Sequence, residues 1–234
     1  MVARCQLVVG IHLKHRDHLH ASYTAGGGVL QGTVLTRANN AIAIGSDGST
    51  GSGSAATVAA GANGAIAIGG GASAAAADTV AIGNSAKANL QNGIAIGYNN
   101  NSYGLSAITI GSGSASTGTG SLAVGNDAKA TANNATAVGA GNHDGNGASA
   151  SANAASAFGY IAKAQGSYST ALGTNSNAFT ANAIALGANT LASGAYAIAM
   201  GQGAEANSAG SIALGRNSSA KNSQALALVT CQMP

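Results

Sequence analysis

The stretch Asn92-Gly93-Ile94-Ala95-Ile96-Gly97 decides how this chain folds. Its last four residues recur, with small changes, thirteen times along the sequence. Aligned on the final glycine, the copies fall at Gly45, Gly69, Gly83, Gly97, Gly111, Gly125, Gly139, Gly159, Gly173, Gly187, Gly201 and Gly215, and Val229 takes that place in the last. Successive copies lie 14 residues apart, except for steps of 24 (Gly45 to Gly69) and 20 (Gly139 to Gly159). A period this short and regular marks a solenoid, whose units stack on one another and cannot bury an apolar face alone.

Within each copy, large apolar residues stand one and three places before the glycine, as in Ile66/Ile68, Ile94/Ile96, Leu122/Val124 and Ile198/Met200. Two and four places before it the residue is small, as in Ala41/Ala43 and Ala107/Thr109. Alternation of period two is a β-strand with a large-residue face and a small-residue face. Asn, Asp or Gly often precedes the strand (Asn40, Asp78, Asn92, Gly120, Asn182) and follows the glycine (Asn99, Gly113, Asp127, Asn175), as turns require. A second short strand comes next, as in Ala86-Lys87-Ala88, Ala128-Lys129-Ala130 and Ala162-Lys163-Ala164. Its small residues are expected to face inward and its middle residue outward. Each coil thus holds two strands and two turns, and the stack makes two parallel sheets back to back.

A long helix is excluded despite the abundant alanine. Glycine every 14 residues costs about 1 kcal/mol each in a helix, and the apolar spacing is two rather than 3.6. Alternation leaves open which way each face of the first strand points. The reading adopted here puts the isoleucines inside the roll and turns the Ala/Gly/Ser face toward neighbouring protomers. On that reading Ala95→Leu weakens assembly, and Ile96→Ala weakens the roll itself. Thr136, Ser156 and Thr170, which replace a large residue, would mark thinner coils.

The two long steps are expected as Gly-rich loops near residues 46–55 and 141–146, both in the turn between the glycine and the second strand. Residues 1–31 do not fit the repeat and are read as an irregular leader, with Gly26-Gly27-Gly28 as a flexible break. Repeats then occupy residues 32–229, and 230–234 form a tail. Leu7-Val8-Val9-Gly10-Ile11 after Arg4 is too short an apolar run for a secretion signal. No run of 18 apolar residues exists, so no membrane helix is encoded. Cys5 and Cys231 flank the repeats, and thirteen coils at roughly 4.8 Å would hold them about 60 Å apart. An intrachain disulfide needs Cα atoms within about 7 Å, so the pair is not expected to bridge.

Chemistry-bearing residues are few. Charged residues make up 6% of the chain, and a basic, aromatic-interleaved face for nucleic acid is lacking. His12, His15, His18 and His20 with Asp17 lie in the leader without a scaffold to converge them, so no metal site is expected. Glu205 is the only glutamate, and Asp47, Asp78, Asp127 and Asp144 are scattered over turns. His143-Asp144 is the one suggestive pair, and it lacks a nucleophile placed beside it. Neither catalytic residues nor a cofactor are expected. A regular Thr ladder, the mark of an ice-binding face, is missing. The outward column containing Lys87, Lys129 and Lys163 is the candidate ligand-contact line, against the plainer role of solubility.

The unit Asn92-Gly93-Ile94-Ala95-Ile96-Gly97, with Ser121-Leu122-Ala123-Val124-Gly125 and Ser211-Ile212-Ala213-Leu214-Gly215, resembles the head repeat of trimeric autotransporter adhesins of the YadA type. That repeat is usually written Asn-Ser-Val-Ala-Ile-Gly-x-x-Ser. The resemblance covers about residues 32–229. It implies an all-β, left-handed parallel β-roll and a homotrimer. It further implies an outer-membrane protein of the bacterial surface that attaches cells to collagen or another matrix protein. The left hand comes from the family and not from the spacing. The family's signal sequence, neck, heptad stalk and β-barrel anchor find no counterpart in the sequence. The expectation is therefore an adhesin head, either a piece of a longer adhesin, a truncated product or a head on another scaffold. The alternative is a structural spacer, an ice- or surface-binding solenoid, or a non-functional fragment of a longer adhesin.

Overall fold

A computed structural model describes residues 20–25, 28–34, 38–45, 55–142 and 145–229. They fall into two compact units, one ending at Ser102 and the other starting at Tyr103. Each unit is a parallel β-solenoid. In the first, the long strands Ile42–Ile44, Ile66–Ile68, Val80–Ile82 and Ile94–Ile96 pair side by side in sequence order. A second sheet of short strands, among them Ser73–Ala74, Lys87–Ala88 and Asn101–Ser102, runs beside them. In the second unit the long strands run from Ile108–Ile110 to Leu226–Leu228, and the short ones from Ala115–Ser116 to Ser219–Ala220. Register is strict, as in Ile184 opposite Ile198 opposite Ile212.

The direction of the strand faces is the reverse of the one adopted from the sequence. Ala67, Ala81, Ala95, Ala123, Ala185 and Ala199 have no exposed surface, so the small face of the long strand lines the interior. Ala88, Ala130, Ala164 and Ala206 of the short strands meet it from the other side, equally buried. One coil shows the whole interior: Ala197, Ala199, Ala204 and Ala206, all fully buried. Among the described residues no fully buried side chain is larger than Val58. The isoleucines point out. Thr136, Ser156 and Thr170 therefore lie on the outer face, and the interiors of their coils keep the same alanines, Ala137, Ala157 and Ala171.

A hydroxyl in an alanine-lined interior costs least when its polar atoms are satisfied. Thr79 Oγ1 donates to the Ala76 carbonyl at 2.7 Å, Ser121 Oγ to Gly118 at 2.6 Å and Ser211 Oγ to Ser208 at 2.7 Å. After the glycine, Ser176 and Thr190 do the same to the carbonyls of Gly173 and Gly187, both at 3.0 Å. In these five the donor reaches three residues back into its own turn, so the turn geometry supplies the partner. Ser116 Oγ instead reaches across to the Ile108 carbonyl at 2.7 Å, and the buried Ser169 Oγ makes no hydrogen bond.

The turns explain the Asn and Gly signature. The residues five before and two after the glycine adopt left-handed backbone angles, as in Asn134 (φ 55°) and Asp127 (φ 56°). The marker glycine has a further positive φ, 127° at Gly125, and a Cβ built there would stand 2.6 Å from the Gly139 carbonyl oxygen of the next coil. Both the angle and the stacked backbone exclude a side chain. Gly125→Ala is expected to destabilise the second unit by at least about 2 kcal/mol, read as a lowered thermal midpoint. Gly61→Ala, whose Cβ would meet nothing within 4 Å, should cost only the left-handed penalty of about 1 kcal/mol.

The insertions keep the register on both sides. Ser149 pairs with Lys129 and Ser156 with Thr136, so all six extra residues of the second step sit between Gly139 and the short strand. The first step is divided differently from expectation. Ile66 pairs with Ile42, but Ser73 pairs with Thr57, which stands twelve residues after Gly45. Eight extra residues thus precede the short strand Ala56–Val58, and two more lie in the opposite turn before Ile66. Residues 46–54, His143 and Asp144 lie outside the described residues, as do His12, His15, His18, Asp17, Asp47, Cys5 and Cys231.

Two strands begin inside the segment read as an irregular leader. His20–Ala25 and Gly28–Val34 pair antiparallel, Ser22 opposite Gln31, and Gly28–Val34 then joins the short-strand sheet beside Ala56–Val58. Their Tyr, Thr and Val content favours strands, a signal that the lack of a 14-residue period masked.

Candidate functional site

With alanine filling the interior, the large residues of every long strand form the outer face of that sheet. In the second unit the ladder runs through Ile184, Ile198 and Ile212 in one column and Leu186, Met200 and Leu214 in the next. Neighbouring rungs cover each other's flanks, and the outer surface stays open: Ile184, Met200 and Ile212 are each 37% exposed, Leu214 43%. In the first unit Ile66, Val80 and Ile94 repeat the arrangement. In the second unit the first column is broken by Thr136, Ser156 and Thr170, but the second is apolar from Ile110 through Val124, Val138, Phe158 and Leu172 to Leu228. An apolar ladder of that length is rare on a solvated surface and marks a contact face. The sequence reading assigned these residues to the core. The second strand held the missing signal, because its polar middle column already fixes an alanine lining and leaves no room for isoleucine opposite it.

The short-strand sheet presents the other surface. Lys87 is exposed in the first unit, with Ala88 beneath it buried. In the second, Lys129 and Lys163 flank Ser149 in one column, two strand spacings or about 9.6 Å apart. Lys129 is exposed and its Nζ donates to the Gly145 carbonyl at 2.9 Å, beside the second insertion. Lys163 is half-buried. The structure thus brings two of the three lysines into one column and places Lys87 in the other unit. Glu205 extends the same column, with Asn207 Nδ2 donating to its Oε2 at 3.4 Å.

Among the carboxylates described, Asp78 lies in the first unit and Asp127 and Glu205 in the second, Asp127 on a turn and Glu205 on a short strand. Asp127 precedes the buried Ala128 and faces Gly113 of the previous coil, where a Cβ would sit 2.5 Å from its Oδ1. The arrangement is a turn device, with a carboxylate filling the space that a glycine leaves. Among the described residues no group of three His, Cys, Asp or Glu converges as for a metal ion. No helix among the described residues is long and apolar enough to cross a membrane.

Residues 60–86, 116–142, 164–190 and 192–218 match the family described as YadA head domain repeat (2 copies). No curated protein matches the sequence. Among solved structures, the crystal structure of the collagen-binding domain of the Yersinia adhesin YadA aligns over 67% of this chain and 68% of its own, at 22% identity and a TM-score of 0.38.

Proposed function

We propose that this chain, a YadA-type head domain, works as the attachment head of a bacterial cell-surface adhesin. Three protomers associate in parallel as left-handed rolls, and the assembled surface holds collagen or another matrix protein. The observation that carries this reading is the open apolar ladder of the long-strand sheet. Alanine interiors bury little apolar area per coil, so much of the apolar burial open to the roll must come from a second surface. Covering Ile184, Ile198, Ile212 and their neighbours with equivalent faces of two other copies supplies it, and closes the contact as a ring.

The short-strand sheet then faces solvent around the trimer and repeats its chemistry coil after coil. Lys129 and Lys163 on the short-strand sheet of the second unit, and Lys87 on that of the first, are the candidate contact residues. Weak contacts multiplied along the roll and over three copies give avidity without a deep pocket. Sedimentation of the whole chain at micromolar concentration is expected to give a trimer. Immobilised collagen should retain that trimer more strongly than a serum-albumin coat does. A folded monomer would contradict the assembly, and equal retention on both coats would contradict the adhesion.

A further inference from the structure

Five places before the marker glycine the backbone is left-handed in coil after coil. Asn92, Asn134 and Asn182 (φ 58°, 55° and 57°) suit that position, as do Gly120 and Gly210. A short amide tolerates this region, and glycine has no Cβ to clash. Tyr168 and Tyr196 occupy the same place with φ 60° and 59°. A bulky aromatic is poorly suited to it. Burial does not account for them either, since both are 67% exposed. Ser106, Ala154 and Gln224 also depart from the Asn/Gly rule in this column, but none offers a ring. An unfavourable backbone kept beneath an exposed aromatic points to a contact made by the ring and not to a need of the fold.

The backbones of the two tyrosines are held at a fixed spacing. The Asn182 amide donates to the Ser167 carbonyl at 2.9 Å and the Tyr196 amide to Ala181 at 3.1 Å, so Tyr168, Asn182 and Tyr196 climb one coil at a time. Two parallel strand spacings place the tyrosine backbones about 9.6 Å apart. A polyproline-II helix rises about 3.1 Å per residue with three residues per turn, so every third side chain returns to one face after about 9.3 Å. The two repeats match. Exposed Phe179 opens the turn between the tyrosines, which concentrates rings where the chain otherwise has few. From Gln165 to Gly203 there is no Lys, Arg, Asp or Glu, so the surface selects no charged partner. Exposed Asn182 sits between the rings with an amide to offer. The carbonyls of a polyproline-II chain have no internal hydrogen bonds and are free to accept it.

We propose that Tyr168 and Tyr196, with Asn182 between them, form a docking ridge for an uncharged proline-rich segment in the polyproline-II conformation, lying along the coil axis. The ridge rests on the reading of this chain as an adhesin head and names one element of its surface. Proline rings stack on exposed aromatics, and a preformed polyproline-II helix loses little entropy on docking.

The test is a fluorescence-anisotropy titration of a labelled ten-residue polyproline peptide with the whole chain. A Gly/Ser peptide of equal length serves as the control. Saturable binding of polyproline alone is expected, with affinity falling at least about 10-fold in the double variant Tyr168→Asn/Tyr196→Asn. The double Phe variant should retain it. Asparagine suits the backbone at both sites, so the Asn variant should keep or raise the thermal midpoint, which separates lost binding from misfolding. The absence of saturable polyproline binding overturns the ridge, as does an undiminished affinity in the Asn variant. A change in the Asn variant's sedimentation also overturns it, because the rings would then belong to a subunit contact. Retention on collagen is measured in parallel. A chain that holds to collagen and ignores polyproline sinks the ridge and leaves the adhesin reading standing. A chain that binds polyproline through the tyrosines and holds to no matrix coat does the reverse.

Discussion

Ala95→Leu is expected to disrupt the roll itself, lowering the stability of the first unit by at least about 3 kcal/mol. Ala95 has no exposed surface, its neighbours Ala81 and Ala67 in the column are equally buried, and the opposite sheet is lined by Ala88 and Ser102. Three added heavy atoms have no cavity to enter. Moving the sheets apart would break the turns that join them, and the parallel pairing carries that displacement into the adjoining coils. Urea unfolding of the variant checks this, read as a fall in the midpoint. A variant with unchanged midpoint and weakened association would restore the orientation that the sequence reading adopted. Ile96→Ala shifts the balance the other way, because Ile96 stands on the outer face and its loss leaves the interior untouched.

If the protomers assemble as proposed, Ile198→Asp is expected to abolish that association and leave the protomer folded. Ile198 pairs with Ile184 on one side and Ile212 on the other, inside the outer ladder of the second unit. A carboxylate buried there without a partner costs several kcal/mol, and three-fold symmetry brings in three such groups. In a free protomer the same side chain faces water and costs little. Sedimentation velocity should therefore move from trimer to monomer while far-UV circular dichroism keeps its β signature. Loss of both signals together would mean that the ladder belongs to the protomer's own core.

The sequence alone was enough to determine the coil. Glycine every 14 residues, alternation before it and Asn or Gly at the turns specify strands, turns and parallel stacking, because all of these are local or strictly periodic demands. The second insertion could be placed from the same count, since its six residues displace one turn only. The tertiary structure decided what periodicity does not carry. Alternation groups Ile94 with Ile96 and Gly93 with Ala95, yet a strand rotated to show its other face keeps the same grouping. The distance between the sheets settles it: short turns hold them at a separation that Ala95, Ala123 and Ala199 fill and isoleucine does not. The first insertion divided between two turns for a related reason. Only pairing across the sheet, Thr57 to Ser73, shows which residues of a Gly-rich stretch belong to the ladder. The exposed tyrosines follow the same logic. Their shared column was legible in the repeat, but that their backbones are left-handed and their rings face solvent became apparent only in the folded coil.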